Sequence, residues 1–159
     1  MFNMIQLLWR KREIEMFDSG KYDVIELSEK LVELASELDL SISNLQLQKI
    51  LYYVQGNYLK TYKRKAFKET IECWEYGPVV KRAWKFFSYY GQEPIKKFGN
   101  TIKLRNDEIA LFKKILEDCL NLNVWDLVEK THMEFPWKNA YDNKCKTISD
   151  NDMKVQFCK

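Results

Sequence analysis

The chain has 159 residues, of which 46% are hydrophobic, 14% aromatic and 31% charged. This length fits one domain, and a domain of this size buries about 70% of the surface that its unfolded chain exposes, so stability requires neither a disulfide nor a metal. No apolar run approaches the ~20 residues of a membrane span, and the N-terminal stretch, broken by Gln6, is too short for a signal peptide. Composition therefore predicts a folded, cytoplasmic protein without a membrane partner and argues against a disordered chain.

The net charge of +3 is unevenly distributed along the chain. The middle third, residues 60–105, holds twelve basic and four acidic residues, whereas the segments on either side of it are both net acidic. Such a basic segment is compatible with a nucleic-acid contact, with an acidic protein surface, or with simple solvation of lysines that are spread over several elements. The sequence leaves these three interpretations open.

The four cysteines are scattered, and no C-x-x-C pair occurs among them. A disulfide framework needs a secretory context, so reduced thiols are expected, with Cys73 and Cys119 packed in the core and Cys145 and Cys158 exposed. A zinc site built from cysteines and His132, the single histidine, would lack the paired short spacings usual in such sites. The sequence predicts no metal and no cofactor.

Two segments precede the centre of the predicted fold. Residues 1–15 begin with an apolar stretch and continue with a charged run that favours only a helical turn or two. We treat them as an N-terminal extension of a domain at residues 16–159. Asp23, followed three residues later by Glu26, is typical of a helix N-terminus, and leucine then recurs with helical spacing from residue 27 to 38. This pattern predicts an ordinary amphipathic helix.

A helix with two apolar faces, at about residues 43–59, is the centre of the predicted fold. Ser43 and Gln46 have the spacing of a capping box, which indicates its start. One apolar stripe holds Leu47, Ile50, Leu51, Val54 and Tyr58, and a nearly opposite stripe holds Leu45, Tyr52, Gly56 and Leu59. Since both stripes need burial, the helix should lie inside the domain, with Gln48 and Gln55 in a thin polar seam. Gly56 indicates that a backbone or an aromatic ring packs closely against the helix.

Three short strands are predicted after the central helix. Residues 70–76 alternate between apolar and polar side chains, and Gly77-Pro78 then stops the pattern. Residues 95–98 and 101–104 flank Gly99-Asn100, a pair suited to a type II′ hairpin turn. Together these segments predict a small antiparallel β element.

Four further helices complete the prediction. Pro78 suits the first position of a helix, which should end before Gly91. Asn106 suits the start of a helix that reaches about residue 120, a shorter helix covers residues 124–131, and Ser149 starts a last one. The predicted fold class is mainly α, a compact single-domain helical fold around the central helix with a small antiparallel β element.

The chain contains none of the common catalytic or nucleotide-binding motifs, such as G-x-G-x-x-G, Walker A, H-E-x-x-H or G-x-S-x-G. His132 and Glu134 are the best candidates for an acid–base pair, but residues two apart diverge on a helix. The structural alternative is that His132 caps the end of its helix and bonds a carbonyl. The sequence therefore predicts a protein that is not an enzyme.

Three segments occur in an order and spacing that resemble a known family. They read LQKILYYVQ at residues 47–55, WEYGPV at residues 74–79 and THMEFPW at residues 131–137. Together they resemble the Panacea domain of bacteria and their phages, which includes phage-associated GepA-like proteins. The resemblance covers roughly residues 22–157, and Cys73 stands where the family often has alanine.

The resemblance implies an antitoxin that neutralises a partner toxin by direct protein–protein binding, in a bacterial or phage toxin–antitoxin system. It also implies that the domain accompanies many unrelated toxin folds, and that some members act as adaptors that pass the toxin to a cytoplasmic protease. The alternative hypothesis, from the charge distribution alone, is a nucleic-acid-binding module that uses residues 60–105.

If the motif residues bind the partner, the turn at residues 74–82 and the segment at residues 132–137 are the expected contacts, because turns on a rigid scaffold often carry function. The alternative is that the motif residues pack in the core. The candidate partner-binding residues are Trp74, Tyr76, Gly77, Pro78, Lys81, Arg82, His132, Glu134, Pro136 and Trp137.

Overall fold

The computed structural model describes residues 1–99 and 102–159 and shows a mainly helical fold with a small three-stranded antiparallel sheet, which confirms the predicted fold class. The helices of this part of the chain are α1 (Met4–Ser19), α2 (Val24–Glu37), α3 (Asn44–Tyr62), α4 (Lys81–Phe86), α5 (Asn106–Leu120), α6 (Val124–Met133), α7 (Phe135–Asp142) and α8 (Asp150–Phe157), with a 3-10 turn at Ser88–Tyr90. The strands are β1 (Ile71–Trp74), β2 (Gly77–Val79) and β3 (Thr147–Ile148).

Helix α3 is the centre of the fold, as predicted. The Ser43 side chain accepts a hydrogen bond from the Gln46 backbone N–H, and the Gln46 side chain accepts one from the Ser43 N–H, so the capping box forms. Both apolar stripes are buried apart from Leu45, which is partly exposed, and α3 contacts α4, α5, α6, α8 and β2. The polar side chains of Gln48 and Gln55 are also buried rather than lying in a solvated seam.

Gly56 lets α8 pack directly on the central helix. A Cβ atom at this position would lie 2.3 Å from the ring of Phe157. The close approach of an aromatic ring that the glycine indicated is therefore present, and the ring comes from the last helix of the chain. Since glycine costs about 1 kcal/mol relative to alanine in a helix interior, this packing offsets an intrinsic weakness of α3.

The sheet uses different strands from those expected after residue 76. Strand β1 lies in the middle and pairs antiparallel with β2 and with β3. Residues 95–98 and 102–104 are irregular, while Asn100 and Thr101, and with them the predicted hairpin turn, lie outside the described residues. The Ile95 N–H instead bonds the Ile42 carbonyl, so this segment runs beside the linker before α3.

Gly77-Pro78 does not end the β structure but begins β2. Gly77 has φ +105°, a backbone conformation open mainly to glycine, and this permits a two-residue turn between Trp74 and Gly77. Pro78 is tolerated in the short strand because β2 is at the edge of the sheet. The helix expected to start at Pro78 therefore starts three residues later, with α4.

The later helices agree with prediction at their starts better than at their ends. Helix α5 covers the expected residues, α6 extends two residues beyond the expected end, and Ser149 caps α8 by accepting from the Asp152 N–H. Helix α7 was not predicted. Helix α1 is a full 16-residue helix rather than a turn or two.

A buried carboxylate ties α3 to α5. The Glu108 side chain accepts hydrogen bonds from the hydroxyls of Tyr22 (2.6 Å) and Tyr58 (2.9 Å), and Lys21 Nζ lies 3.2 Å from it. Burial by itself raises the pKa of Glu108, but the hydrogen bonds from Tyr22, the Arg105 N–H, Tyr58 and Lys21 together hold that pKa below its usual value. The charged form of Glu108 is therefore favoured by folding.

We expect Glu108→Gln to lower the free energy of unfolding at pH 7 by about 2 kcal/mol, because the amide loses the ion pair and presents a donor to other donors. The wild type should lose this advantage as the pH falls below 4.5, the ordinary pKa of the group. A carboxylate whose pKa is lowered by folding stabilises the folded state only while the carboxylate is ionised. Urea unfolding at pH 7, 5 and 3.5 measures the effect. Glu117→Gln, which makes the same change at an exposed residue of α5, is the control. Equal pH profiles for the wild type and Glu108→Gln would contradict the prediction.

Candidate partner-binding site

The structure brings the second and third motif segments together on one side of α3. We call residues 74–80 and 132–137 the corner. The Trp137 indole N–H donates to the Trp74 carbonyl at 2.9 Å, so the junction of α6 and α7 is bonded to the turn between β1 and β2. Next to it, the Cys73 thiol lies 3.7 Å from the Trp137 carbonyl, which shows that the larger residue is accommodated at this position.

Two polar residues of the first motif segment hold the turn from beneath. Lys49 Nζ donates to the Pro78 carbonyl at 2.9 Å, and Gln48 accepts from the Val80 N–H at 2.9 Å. The Gln48 amide also donates to Asn44, which in turn donates to the Trp84 carbonyl. Strand β2 and the start of α4 are thus bonded to side chains of α3.

Lys49 is fully buried at this point, and its burial lowers its pKa to about 7. Gly77 lies directly over it. A Cβ on Gly77 would be 2.9 Å from Lys49 Cε and 2.8 Å from the Thr131 hydroxyl. Glycine is therefore required here for space as well as for its positive φ angle.

Glu134 connects the junction of α6 and α7 to α3. Its two carboxylate oxygens accept from the hydroxyls of Tyr53 at 2.7 Å and Tyr52 at 3.0 Å. Burial and the neighbouring Glu134 raise the pKa of both tyrosines well above the usual range, so both hydroxyls remain donors. Lys130 Nζ lies 4.9 Å from the centre of the Tyr53 ring.

His132 is part of an aromatic stack. Its ring centroid is 3.9 Å from that of Trp137, and Trp137 stacks on Tyr141 at 4.5 Å. Burial lowers the pKa of His132, with Lys49 acting in the same direction and a hydrogen bond to the backbone of Glu75 opposing both. His132 thus interacts with the backbone of the turn instead of capping the end of its own helix, and its buried Nε2 has no hydrogen-bond partner among the described residues. The Glu134 carboxylate is bonded to Tyr52 and Tyr53, and within the described residues no hydrogen bond or ion pair joins it to His132.

Exposed aromatic and apolar side chains surround this bonded interior. Tyr76, at the tip of the turn, is 54% exposed and meets Trp125 of α6 edge to face at 5.7 Å. We define the rim as the exposed large side chains of the turn, α6 and α7: Tyr76, Trp125, Met133, Phe135 and Tyr141. Exposed clusters of this kind mark interaction surfaces more often than single exposed residues do.

The predicted site residues divide into three groups by position. The residues of the corner that are buried or partly buried are Trp74, Gly77, Pro78, His132, Glu134, Pro136 and Trp137. Tyr76 is exposed at the tip. Lys81 and Arg82 are exposed on α4. Arg82 bonds Asp23, at the start of α2, at 2.7 Å and Glu69, just before β1, at 2.9 Å.

Sequence reasoning missed most of the rim and the role of Lys49. Trp125 has a detectable signal, because the inward positions of α6 are occupied by Leu127, Val128 and Thr131, and a tryptophan outside that stripe needs another explanation. Lys49 offered no such signal, since a lysine between two apolar stripes is ordinarily solvated.

The part of the chain that the structure describes contains neither a cluster of metal-ligating side chains nor a helix that could span a membrane. Within residues 1–99 and 102–159, no three His, Cys, Asp or Glu side chains come together as a metal site would require. The four cysteines are free, Cys119 buried, Cys73 partly buried, Cys145 and Cys158 exposed. Over the same residues, no helix combines the length and apolar content needed to span a membrane.

Comparison with known proteins identifies the family of the chain. A model of the family described as Antitoxin SocA-like, Panacea domain, matches residues 47–138, which include the whole corner. The chain belongs to this Panacea family. It is 35% identical over 78 residues to Antitoxin SocA of Caulobacter vibrioides (strain NA1000 / CB15N), an alignment that spans 49% of this chain and 42% of that protein. No solved structure matches the chain.

Lys49 gives the Panacea corner a measurable pH dependence. Between about pH 7 and its ordinary pKa of 10.5, the unfolded chain keeps the Lys49 proton while the folded chain releases it, so this residue makes stability rise with pH. The free energy of unfolding of the wild type minus that of Lys49→Met should therefore rise by up to about 1.4 kcal/mol per pH unit from pH 7 to 8.5.

Chemical unfolding followed by circular dichroism across this range tests the expectation. Lys60→Met, which changes an exposed lysine of the same helix, should run parallel to the wild type. A Lys49→Met curve that is also parallel to the wild type would show that the buried amine does not titrate in this window.

Proposed function

We propose that this protein is an antitoxin that neutralises a toxin by binding it directly, and that the rim around the corner is the main contact surface. Membership of the Panacea family supports the general role. The observation that carries the choice of surface is the exposed pair formed by Tyr76, at the tip of the turn, and Trp125 of α6, above a turn that Lys49 and Gln48 bond from beneath.

The bonding beneath the turn suits a binding surface because it limits motion before the partner arrives. Tyr76 is held between Trp74, which accepts from Trp137, and Pro78, which accepts from Lys49. A preorganised surface loses less conformational entropy on binding, and tyrosine and tryptophan are frequent at energetic hot spots. In this proposal the buried motif residues position the turn, and the rim makes the contacts.

A role without catalysis is part of the proposal. The residues that offered acid–base chemistry are engaged in structure, since Glu134 bonds Tyr52 and Tyr53 and His132 stacks on Trp137. The resemblance to family members that act as adaptors adds a second possibility, in which the bound toxin is passed to a cytoplasmic protease. This possibility predicts a shorter lifetime of the toxin rather than a stable complex.

The charge arrangement favours a protein partner over nucleic acid. Several cations of residues 60–105 are paired with carboxylates from outside that segment, as in Arg82 with Asp23 and Lys65 with Asp150 at 3.1 Å. Arg105 likewise pairs with Asp107 at 3.2 Å. Carboxylates beside Lys65, Arg82 and Arg105 repel a phosphate backbone, so these three cations are less available for nucleic-acid binding than unpaired ones would be.

The first test is co-expression with the product of the adjacent gene, the nearest candidate for the toxin. Expression of that product alone should stop bacterial growth, and co-expression of this chain should restore it. A pulse-chase measurement of the product then separates the two modes, because adaptor action shortens its half-life and neutralisation by binding alone does not. A harmless neighbour, or toxicity without rescue, would contradict the proposal.

The second test addresses the rim. The double variant Tyr76→Ala/Trp125→Ala should bind that gene product at least about tenfold more weakly, because truncation of central aromatic contacts commonly costs 2 kcal/mol or more. Titration calorimetry gives the dissociation constants. Tyr89→Ala removes a 93% exposed tyrosine outside the rim and should bind as the wild type does. Equal affinity of the double variant would exclude the rim as the main contact.

A further inference from the structure

The outer side of α6 and the tip of the turn beside it form one exposed surface. Trp125, Glu129 and Met133 follow one another at four-residue spacing and are all exposed, so they lie along one side of the helix. Tyr76 meets Trp125 edge to face at 5.7 Å and continues this surface onto the turn. We define the α6 face as the exposed residues of the turn and of this side of the helix: Glu75, Tyr76, Trp125, Asp126, Glu129 and Met133.

The α6 face is acidic, although the whole chain has a net charge of +3. It carries the carboxylates of Glu75, Asp126 and Glu129, and none of them is in an ion pair within the described residues. Within the same residues they do not converge as a metal site would require. Lys130 is the single lysine or arginine of α6, and its Nζ lies 4.9 Å from the centre of the Tyr53 ring of α3. The exposed charges next to the aromatic pair are therefore negative.

Neither His132 nor α7 cancels this negative charge. Burial, reinforced by Lys49, lowers the pKa of His132 even though Glu129 acts in the opposite direction. At neutral pH the imidazole is therefore uncharged. On the exposed surface of α7, Lys138 and Asp142 contribute one charge of each sign. The negative excess of the rim therefore lies on the turn and on α6.

We propose that the α6 face binds a basic segment of the toxin, and that a lysine or arginine of this segment contacts the Tyr76 and Trp125 rings and pairs with Glu129. The inference rests on the proposed function, because it specifies the chemistry of the partner at the rim. A cation is attracted by the faces of aromatic rings as well as by carboxylates, and tryptophan attracts it most strongly of the aromatic side chains. Glu129, one helical turn from Trp125, is within reach of a cation that lies on the indole. Apolar atoms of the same segment cover Met133, the next exposed residue along this side.

The charge of the α6 face distinguishes a basic segment from the other occupants that an exposed aromatic surface can have. A second copy of this chain, related by a twofold axis, would bring Asp126 and Glu129 of both copies close together, and these like charges would repel. Lipid headgroups and nucleic acids carry phosphates, which carboxylates also repel. A basic and partly apolar protein segment neutralises the carboxylates and covers the exposed rings.

The test measures binding of the full-length chain to the product of the adjacent gene, the probe, by titration calorimetry at low and at high salt. Asp126→Asn/Glu129→Gln removes two charges with little change of shape. It should weaken binding at least about tenfold at low salt and flatten the salt dependence, because salt screens the attraction between exposed charges. Glu13→Gln/Glu93→Gln removes two exposed carboxylates elsewhere and is the control. Circular dichroism checks that each variant is folded, and a loss of local structure alone would weaken binding equally at both salt concentrations.

The outcomes separate this inference from the proposed function. If the wild type binds the probe and Asp126→Asn/Glu129→Gln binds it equally well or more tightly, the basic segment is wrong while the antitoxin role stands. If the wild type does not bind the probe at all, both proposals fail. If sedimentation velocity shows that the chain self-associates, and Tyr76→Ala/Trp125→Ala abolishes self-association without changing affinity for the probe, the α6 face joins copies of this chain and the inference is overturned.

Discussion

The hydrogen bond from Lys49 to the Pro78 carbonyl is the contact on which the corner depends. A fully buried amine is costly to keep charged, and its lowered pKa reflects that cost. From the N-terminal half of α3, its amine bonds the backbone of the edge strand β2, which has no further strand on that side within the described residues. Together with Gln48, it replaces the missing strand by side-chain hydrogen bonds. The turn that carries Tyr76 is thereby held against the core helix.

The motif residues of the family and the exposed surface above them have separate tasks. Trp74, Gly77, Pro78 and Trp137 are engaged in backbone bonds or in tight packing, so a partner reaches little of them. The rim side chains are exposed above that scaffold.

Buried polar side chains of α3 form hydrogen bonds with the segments that surround the helix. Besides Lys49 and Gln48, Gln55 accepts from the Ala66 N–H at 2.8 Å and donates to the Phe67 carbonyl at 2.8 Å, which fixes the loop after the helix. Tyr58 bonds Glu108 near the C-terminal end. Irregular segments around the helix would otherwise leave backbone groups unpaired in the interior. The central helix therefore acts as a source of hydrogen bonds as well as an apolar core.

The sequence by itself determined the helices that depend on local chemistry. The caps at Asp23, Ser43 and Ser149 form because donor and acceptor are only a few residues apart, and the apolar periodicity of α3 is a local property as well. Only the tertiary structure decided the strand partners of β1, the burial of Lys49, and the meeting of Tyr76 with Trp125. Each of these depends on residues distant in the chain. A lysine or a Gly-Pro pair has the same local pattern whether it faces solvent or a carbonyl across the core, so its role is set by the partner that folding brings to it.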